Sequence, residues 1–288
     1  MEEVATGYGL IEGPVWDDAR GLIFSDVVNG GVWALSEDGR VENIVPKRRG
    51  VGGMALHADG GLVLSGRDVI FQAFDGSTMS TLLTNEVTEE AVGFNDLTTD
   101  REGRVWVGSM AFRVLAGEAV RPGHLHVIDL DGSVRTVSDG IALTNGLGFS
   151  PDGRTLYHSD SRSELVRAYE VTEDGGVSGW REFVRVSGGV PDGLAVAEDG
   201  SVWVALAYGG KVLAFEPDGS LRLELTVPMP MVASVCFGGE TLRELYIVTG
   251  STDGPRENCG TIYRIDAPVP GLPLPPARVR NIEPATGV

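Results

Sequence analysis

The chain has 288 residues, of which 41 are glycine, and its formal net charge is −18 at pH 7. A surface of that sign repels a phosphate backbone, so we expect no nucleic-acid partner. The sequence shows neither a secretory leader nor an apolar run near the roughly 20 residues that span a bilayer. We therefore predict a cytoplasmic protein, monomeric or homodimeric, with no membrane partner.

One short pattern recurs along almost the whole chain. Each copy opens with a polar or small residue, continues with a small and apolar run, and ends in a tight turn, usually with Gly after an acidic residue. The period is roughly 40 to 50 residues, and each unit offers three to four short strands. This pattern predicts an all-β fold, a six-bladed β-propeller, with residues 1–288 as a single domain. The copies begin at Glu12, Gly52, Asn95, Asn145, Asp192 and Ser234.

Four segments outside the repeat carry further expectations, and the simplest is residues 175–190, which we predict to be a longer polar connection. Residues 6–10 form a plausible strand that completes the last blade beside residues 262–265, which would close the ring. The Pro-rich tail, about 268–288, cannot donate a full set of ladder hydrogen bonds and is expected on the outside as irregular chain. Residues 111–122 are too long for a hairpin turn, which predicts a lid or a loop at one mouth of the channel.

The first residues of the repeats predict the functional site. Equivalent positions in a propeller lie on a circle around its axis, so these residues converge at one mouth of the channel. Four of the six are carboxylates or carboxamides, and oxygen ligands without His or Cys favour a hard divalent cation. We expect one cation, Ca²⁺ first, with Zn²⁺, Mg²⁺ or Mn²⁺ as alternatives. Asn and Asp before Gly are also ordinary turn residues, but turn chemistry does not account for Glu12.

Several motifs, in this order and spacing, resemble those of the senescence-marker-protein/gluconolactonase (regucalcin-like) family, which also includes luciferin-regenerating enzymes. They are Glu12-Gly13-Pro14-Val15-Trp16, Phe94-Asn95-Asp96, Gly108-Ser109-Met110, Asn145-Gly146-Leu147, Pro191-Asp192-Gly193 and Cys236-Phe237-Gly238-Gly239. The resemblance implies a six-bladed propeller hydrolase in which Glu12, Asn145 and Asp192 bind one divalent cation. It also implies that Asn95 contacts the substrate or a water on the metal.

The resemblance further implies the opening of a lactone. The cation would polarise the lactone carbonyl as a Lewis acid, and Asp192 would act as general base toward the attacking water. Members that take sugar lactones usually carry Arg at the position of Gly93 and Glu at the position of Arg113. Since these changes remove polar contacts, we predict a less polar lactone or ester than gluconolactone. The predicted substrate-binding residues are Asn95, Gly93, Phe94, Met110, Arg113 and Tyr208.

Two alternatives stay open at this level. The same cation would also serve an aryl-ester or phosphotriester hydrolase, and a third possibility is a non-catalytic scaffold in which the cation is only structural. The sequence has no Gly-x-Ser-x-Gly elbow and no phosphate-binding loop, which lowers the odds of serine-hydrolase or nucleotide chemistry.

Overall fold

The computed structural model describes residues 1–280, and their regular structure is almost entirely β. Within these residues, 24 strands form six four-stranded antiparallel sheets, and no helix has the length and hydropathy needed to cross a membrane. The hairpins turn at glycines with positive φ, such as Gly39 at 82° and Gly60 at 81°. A side chain disfavours this conformation, which explains the abundance of Gly. The predicted six-bladed β-propeller is confirmed.

Each of the first three blades is an up-and-down sheet whose strands follow the chain order. Blade one contains β2 (Ile11–Asp17), β3 (Gly21–Asp26), β4 (Val32–Leu35) and β5 (Val41–Val45). Blade two contains β6 (Met54–His57), β7 (Gly61–Leu64), β8 (Val69–Ala73) and β9 (Met79–Leu83). Blade three contains β10 (Gly93–Thr99), β11 (Val105–Met110), β12 (Gly123–Ile128) and β13 (Val134–Ile141).

Blades four and five repeat this order, and blade six is completed by the first strand of the chain. Blade four contains β14 (Thr144–Phe149), β15 (Thr155–Asp160), β16 (Leu165–Val171) and β17 (Val177–Arg185). Blade five contains β18 (Val190–Val196), β19 (Val202–Ala207), β20 (Lys211–Phe215) and β21 (Leu221–Thr226). Blade six contains β22 (Met231–Gly238), β23 (Glu244–Gly250), β24 (Gly260–Asp266) and β1 (Glu2–Tyr8). Short 3₁₀ helices span Asn85–Val87, Val114–Ala116 and Ser161–Ser163.

The ring closes as predicted, because β1 pairs antiparallel with β24. Thr6 lies opposite Thr261 in this pair, and their hydroxyl oxygens are 2.8 Å apart. The main hydrophobic clusters lie between consecutive blades, and one of them joins blade six to blade one through Ile11, Phe24 and Val248. Packing and strand pairing therefore hold the two ends of the propeller ring together.

The Pro-rich tail is irregular as expected, and most of its described residues are exposed or partly exposed, but some of them pack on the propeller. Ala277 and Val279 are buried, and the tail crosses the end of the channel where the first strands finish. Its non-proline amides make this placement stable: Leu272 N donates to Val196 O at 2.9 Å and Ala277 N to Leu56 O at 2.7 Å. The tail thereby covers an apolar cavity of about 480 Å³ in the channel. Residues 281–288 lie outside the described part of the chain.

A second difference concerns residues 175–190, where the sequence indicated a long polar connection. Most of this segment is β17, the outermost strand of blade four. In β17 most side chains face solvent, so the strand lacks the apolar alternation by which a half-buried strand is recognised.

Candidate active site

The site lies where the first strands of the blades begin, and a shared irregularity shapes it. Between Phe94 and Leu97, β10 advances three residues while its partner β11 advances two, from Ser109 to Val107. The same one-residue bulge occurs near the start of β2, β14 and β18. A β-bulge re-aims side chains that regular alternation would place on a sheet face. The bulged residues include Asn95, Asp96, Asn145 and Asp192.

Glu12 differs from the other predicted ligands in its register. It is still paired, with Ser25, and the bulge of β2 follows it. Glu12 therefore stands one position earlier in its strand than Asn145 or Asp192 do in theirs. Its longer side chain is suited to reach the same centre from that position.

Hydrogen bonds join three blades at the site. Asn95 Nδ2 donates to Asn145 Oδ1 at 2.5 Å and to the Thr144 carbonyl at 2.8 Å. Asn145 Nδ2 in turn donates to Ser161 Oγ at 2.8 Å, and that hydroxyl donates to the Pro191 carbonyl at 2.6 Å. The chain of bonds ends one residue before Asp192, so it fixes the amide of Asn145 relative to that carboxylate.

Three carboxyl groups share this polar centre. Burial and the nearby charges of Asp192 and Asp96 raise the pKa of Glu12 well above its usual range. Burial and the charge of Asp96 do the same to the pKa of Asp192, and burial raises the pKa of Asp96 to about 7. Desolvated carboxylates this close cannot all ionise unless positive charge joins them.

Asp192 gives the sharpest indication of what the site binds. It is 4% exposed, and its Oδ1 has no hydrogen-bond partner among residues 1–280. A buried, unpaired carboxylate oxygen is costly, and a cation would satisfy it. Glu12, Asn145 and Asp192 therefore fit a hard divalent cation by their chemistry. This set has two carboxylates and an amide; no cluster of three or more His, Cys, Asp or Glu arranged for a metal occurs within the described residues.

Glycines after the proposed ligands allow the first strands to approach closely. A methyl group on Gly193 would overlap the hydroxyl of Ser234 in blade six, and one on Gly146 would overlap the Leu194 amide nitrogen in blade five. Glycine is needed here for the space between blades, and the short distance between blades is what narrows the ring around the site.

Two of the predicted substrate-binding residues lie inside the protein. Phe94 is fully buried in the core between blades two and three, with its ring 6.0 Å from that of His126. Gly93 is buried as well, and a methyl group on it would lie 2.9 Å from the Gly66 carbonyl oxygen. Phe94 therefore packs in the core and supports the strand that carries Asn95, and the position of Gly93 leaves no room for a side chain beside Gly66.

The other predicted substrate residues lie on strand ends or loops at the same end of the propeller. Met110 ends β11, pairs with Gly93 and is partly exposed. Arg113 is exposed, and its guanidinium forms an ion pair with Glu118 at 2.9 Å. Tyr208, in the turn after β19, is 56% exposed and has a φ of 62°. Within residues 1–280, Asn95 is the one predicted substrate residue that a hydrogen bond joins to a proposed cation ligand.

The sequence did not identify Asp96 or Ser161 as members of the site. Asp96 directly follows Asn95 in a recognised motif, and this adjacency was an available signal. Ser161 carried no such sequence signal, because it lies in a short 3₁₀ helix after β15 and comes into contact with Asn145 only in the folded protein.

We expect Ser161→Ala to weaken cation binding about 10- to 100-fold, since it removes the partner that holds Asn145 and the Pro191 carbonyl. Calorimetric titration of chelator-treated protein with Ca²⁺ measures this. Ser163→Ala, in the same helix, is the matched control, because its side chain makes none of these contacts. Equal affinities in the two variants would contradict the positioning role of Ser161.

The fold and the site together place the protein in the class of six-bladed propellers with buried carboxyl and carboxamide groups at one channel mouth. The family model described as "SMP-30/Gluconolactonase/LRE-like region" matches residues 10–251, and the chain belongs to this family. The chain is 32% identical to 6-deoxy-6-sulfogluconolactonase of Pseudomonas putida, over 92% of this chain and 94% of that protein. It is 29% identical to pentonolactonase XacC of Haloferax volcanii, over 94% and 95% of the two chains. A solved structure of luciferin-regenerating enzyme has a similar fold, with a TM-score of 0.86, 24% identity and coverage of 96% and 97%.

Proposed function

We propose that this protein is a divalent-metal-dependent lactone hydrolase. The observation that carries the proposal is the buried Asp192 carboxylate beside Glu12 and the fixed amide of Asn145, since its Oδ1 has no hydrogen-bond partner in the described part of the chain. Two relatives are named as lactonases, the Haloferax volcanii pentonolactonase and the Pseudomonas putida sulfogluconolactonase, which supports lactone as the substrate class. Glu12, Asn145 and Asp192 would hold the cation, and Ca²⁺ suits their oxygen donors. A bound cation would supply Lewis-acid polarisation of the lactone carbonyl and stabilise the oxyanion that develops there.

Asp192 is proposed as the general base. A carboxylate has two oxygens, so while one of them binds the cation the other can accept the proton of a water that attacks the carbonyl. The hydrogen-bond chain through Ser161 and Pro191 holds the backbone on which Asp192 stands. A base held in place loses little entropy on reaching the reactive geometry.

Asn95 is proposed to orient the substrate or the attacking water. Its Nδ2 is committed to Thr144 and Asn145, so the orientation of its amide is fixed. The carboxamide oxygen of Asn95 is then the atom left to accept a hydrogen bond from a substrate or water.

The mouth around the site supports a less polar substrate than a sugar lactone. The connections after the second strands of three blades carry exposed apolar or aromatic residues: Val28 at 48%, Val120 at 49% and Tyr208 at 56% exposure. These connections lie at the end where the first strands begin, because neighbouring strands are antiparallel. Apolar surface grouped at one mouth favours a ligand with apolar faces.

A pH-stat screen tests the proposed function. We expect chelator-treated protein to be inactive and to recover lactone hydrolysis when Ca²⁺, Mg²⁺, Mn²⁺ or Zn²⁺ is supplied in turn. Alkyl-substituted lactones are expected to give higher kcat/KM than glucono-δ-lactone, because the mouth offers apolar contacts. A panel of aryl esters and phosphotriesters run in parallel decides between the reaction classes. Turnover that is unaffected by chelation would contradict metal dependence.

A further inference from the structure

The connection between β5 and β6 carries a group of positive charges in an otherwise acidic chain. Residues 47–49 are Lys-Arg-Arg, whereas the whole chain has a net charge of −18. The connection leads directly to Gly52, the residue of blade two on the ring of first positions, and it therefore lies at the site end of the propeller.

Arg48 differs from the charged residues beside it in its surroundings. Its side chain is partly buried, and its enclosed Nε has no hydrogen-bond partner among the described residues. Within residues 1–280 the guanidinium forms no ion pair, although Asp68 is close enough to act on it. Burial lowers the pKa of Arg48, and the charge of Asp68 partly offsets this. A partly buried cation with unused donors is suited to bind an anion.

The guanidinium lies beside the chain that leads to Asn95. A methyl group on Gly66 would lie 3.7 Å from Arg48 Nη2, so the guanidinium extends over this glycine. The Gly66 carbonyl accepts a 2.7 Å hydrogen bond from the amide of Phe94, the residue before Asn95. Since Gly66 has no side chain, nothing on this residue covers the guanidinium.

We propose that Arg48 is a specificity residue that binds an acidic substituent of the substrate, and that the preferred substrates are lactones bearing a carboxylate as a ring substituent. This inference rests on the proposed lactonase function, and it adds one acidic group to a substrate whose other faces are apolar. A planar guanidinium binds a carboxylate with two parallel hydrogen bonds, which neither the backbone nor a lysine reproduces. An anionic substrate also needs such a local positive charge, since the rest of the protein repels it.

A matched pair of lactones tests the assignment. The probes are γ-carboxy-γ-butyrolactone and γ-valerolactone, which differ by a carboxylate in place of a methyl group on the same ring. With the cation-loaded wild type we expect the higher kcat/KM for the carboxylate. For Arg48→Met we expect kcat/KM for the carboxylate to fall about 10- to 100-fold, mainly through KM, and to change less than about 2-fold for γ-valerolactone.

Two further variants distinguish recognition of the carboxylate by Arg48 from a general effect of positive charge and from poor folding of the variant. Arg49→Met removes the same charge from an exposed neighbour and is expected to leave both substrates unaffected. Arg48→Lys keeps the charge without the planar fork and is expected to keep part of the preference, so the assignment remains testable if Arg48→Met folds poorly. Equal turnover of the two probes by wild type, or an equal loss for both in Arg48→Met, would overturn the role of Arg48 while lactone hydrolysis stands. Turnover of neither probe at any cation would overturn both proposals.

Discussion

Asp192→Asn is expected to lower kcat for lactone opening by about 10²- to 10⁴-fold, the range measured for removal of a general base. Asparagine has the same shape as aspartate, but its amide cannot accept the proton of the attacking water. The measurement is kcat at saturating cation, together with the metal content of each preparation.

Asp199→Asn is the matched control for this prediction. Asp199 lies in the β18–β19 turn of the same blade, at the opposite end of the strand, where it bonds Ser201 and Arg222. Its substitution is expected to leave kcat unchanged. An Asp192→Asn protein that keeps its cation and a near-normal rate would remove Asp192 from the base role. A wild type that binds cation tightly but turns over no lactone, aryl ester or phosphotriester would favour the scaffold alternative.

The stabilisation that a divalent cation gives is expected to increase as pH rises from about 5 to 8. In the cation-free protein the pKa values of Glu12, Asp96 and Asp192 are raised, to about 7 for Asp96. The folded state therefore holds more protons than the unfolded state above the ordinary carboxyl pKa, so these groups make stability fall as pH rises toward 7. A cation binds the deprotonated carboxylates, so the cation-bound protein does not lose stability in this way as the pH rises.

The size of the effect follows from mass action. A cation at about 100 times its Kd stabilises by about 2.7 kcal/mol, and for a chain of this size that corresponds to a rise in Tm of about 5 to 10 °C. Calorimetry at several pH values, with chelator or with Ca²⁺, measures the difference. His126 and His158, whose pKa values burial lowers to about 4 and about 3, oppose the carboxyl groups, but they act equally with and without cation.

Glu12→Gln tests the origin of this pH dependence. The substitution removes one of the mutually repelling charges, so it is expected to flatten the dependence of ΔTm on pH and to weaken cation binding. Glu42→Gln, an exposed residue on β5, serves as control. A ΔTm that is the same at pH 5 and pH 8 in the wild type would contradict the assignment of the cation to these carboxylates.

The fold was largely predictable because its signals are local. Asp-Gly turns, short apolar strands and a regular period are properties of neighbouring residues, and closure by β1 followed from counting strands. The predictions that failed concern segments whose environment is set by distant residues. β17 faces solvent and lacks an apolar pattern, and Ala277 and Val279 of the tail are buried because the tail packs on blades whose first strands end beneath it.

The sequence by itself determined the repeat, the propeller and the identity of the residues at the start of each repeat. Only the tertiary structure decided how those residues act together. Bulges near the start of the first strands re-aim Asn95, Asn145 and Asp192, and hydrogen bonds through Ser161 join separate blades. The electrostatic strain among Glu12, Asp96 and Asp192 likewise exists only after three blades have met. The physical reason is that desolvation and charge repulsion depend on distance in space, which the order of residues along the chain does not contain.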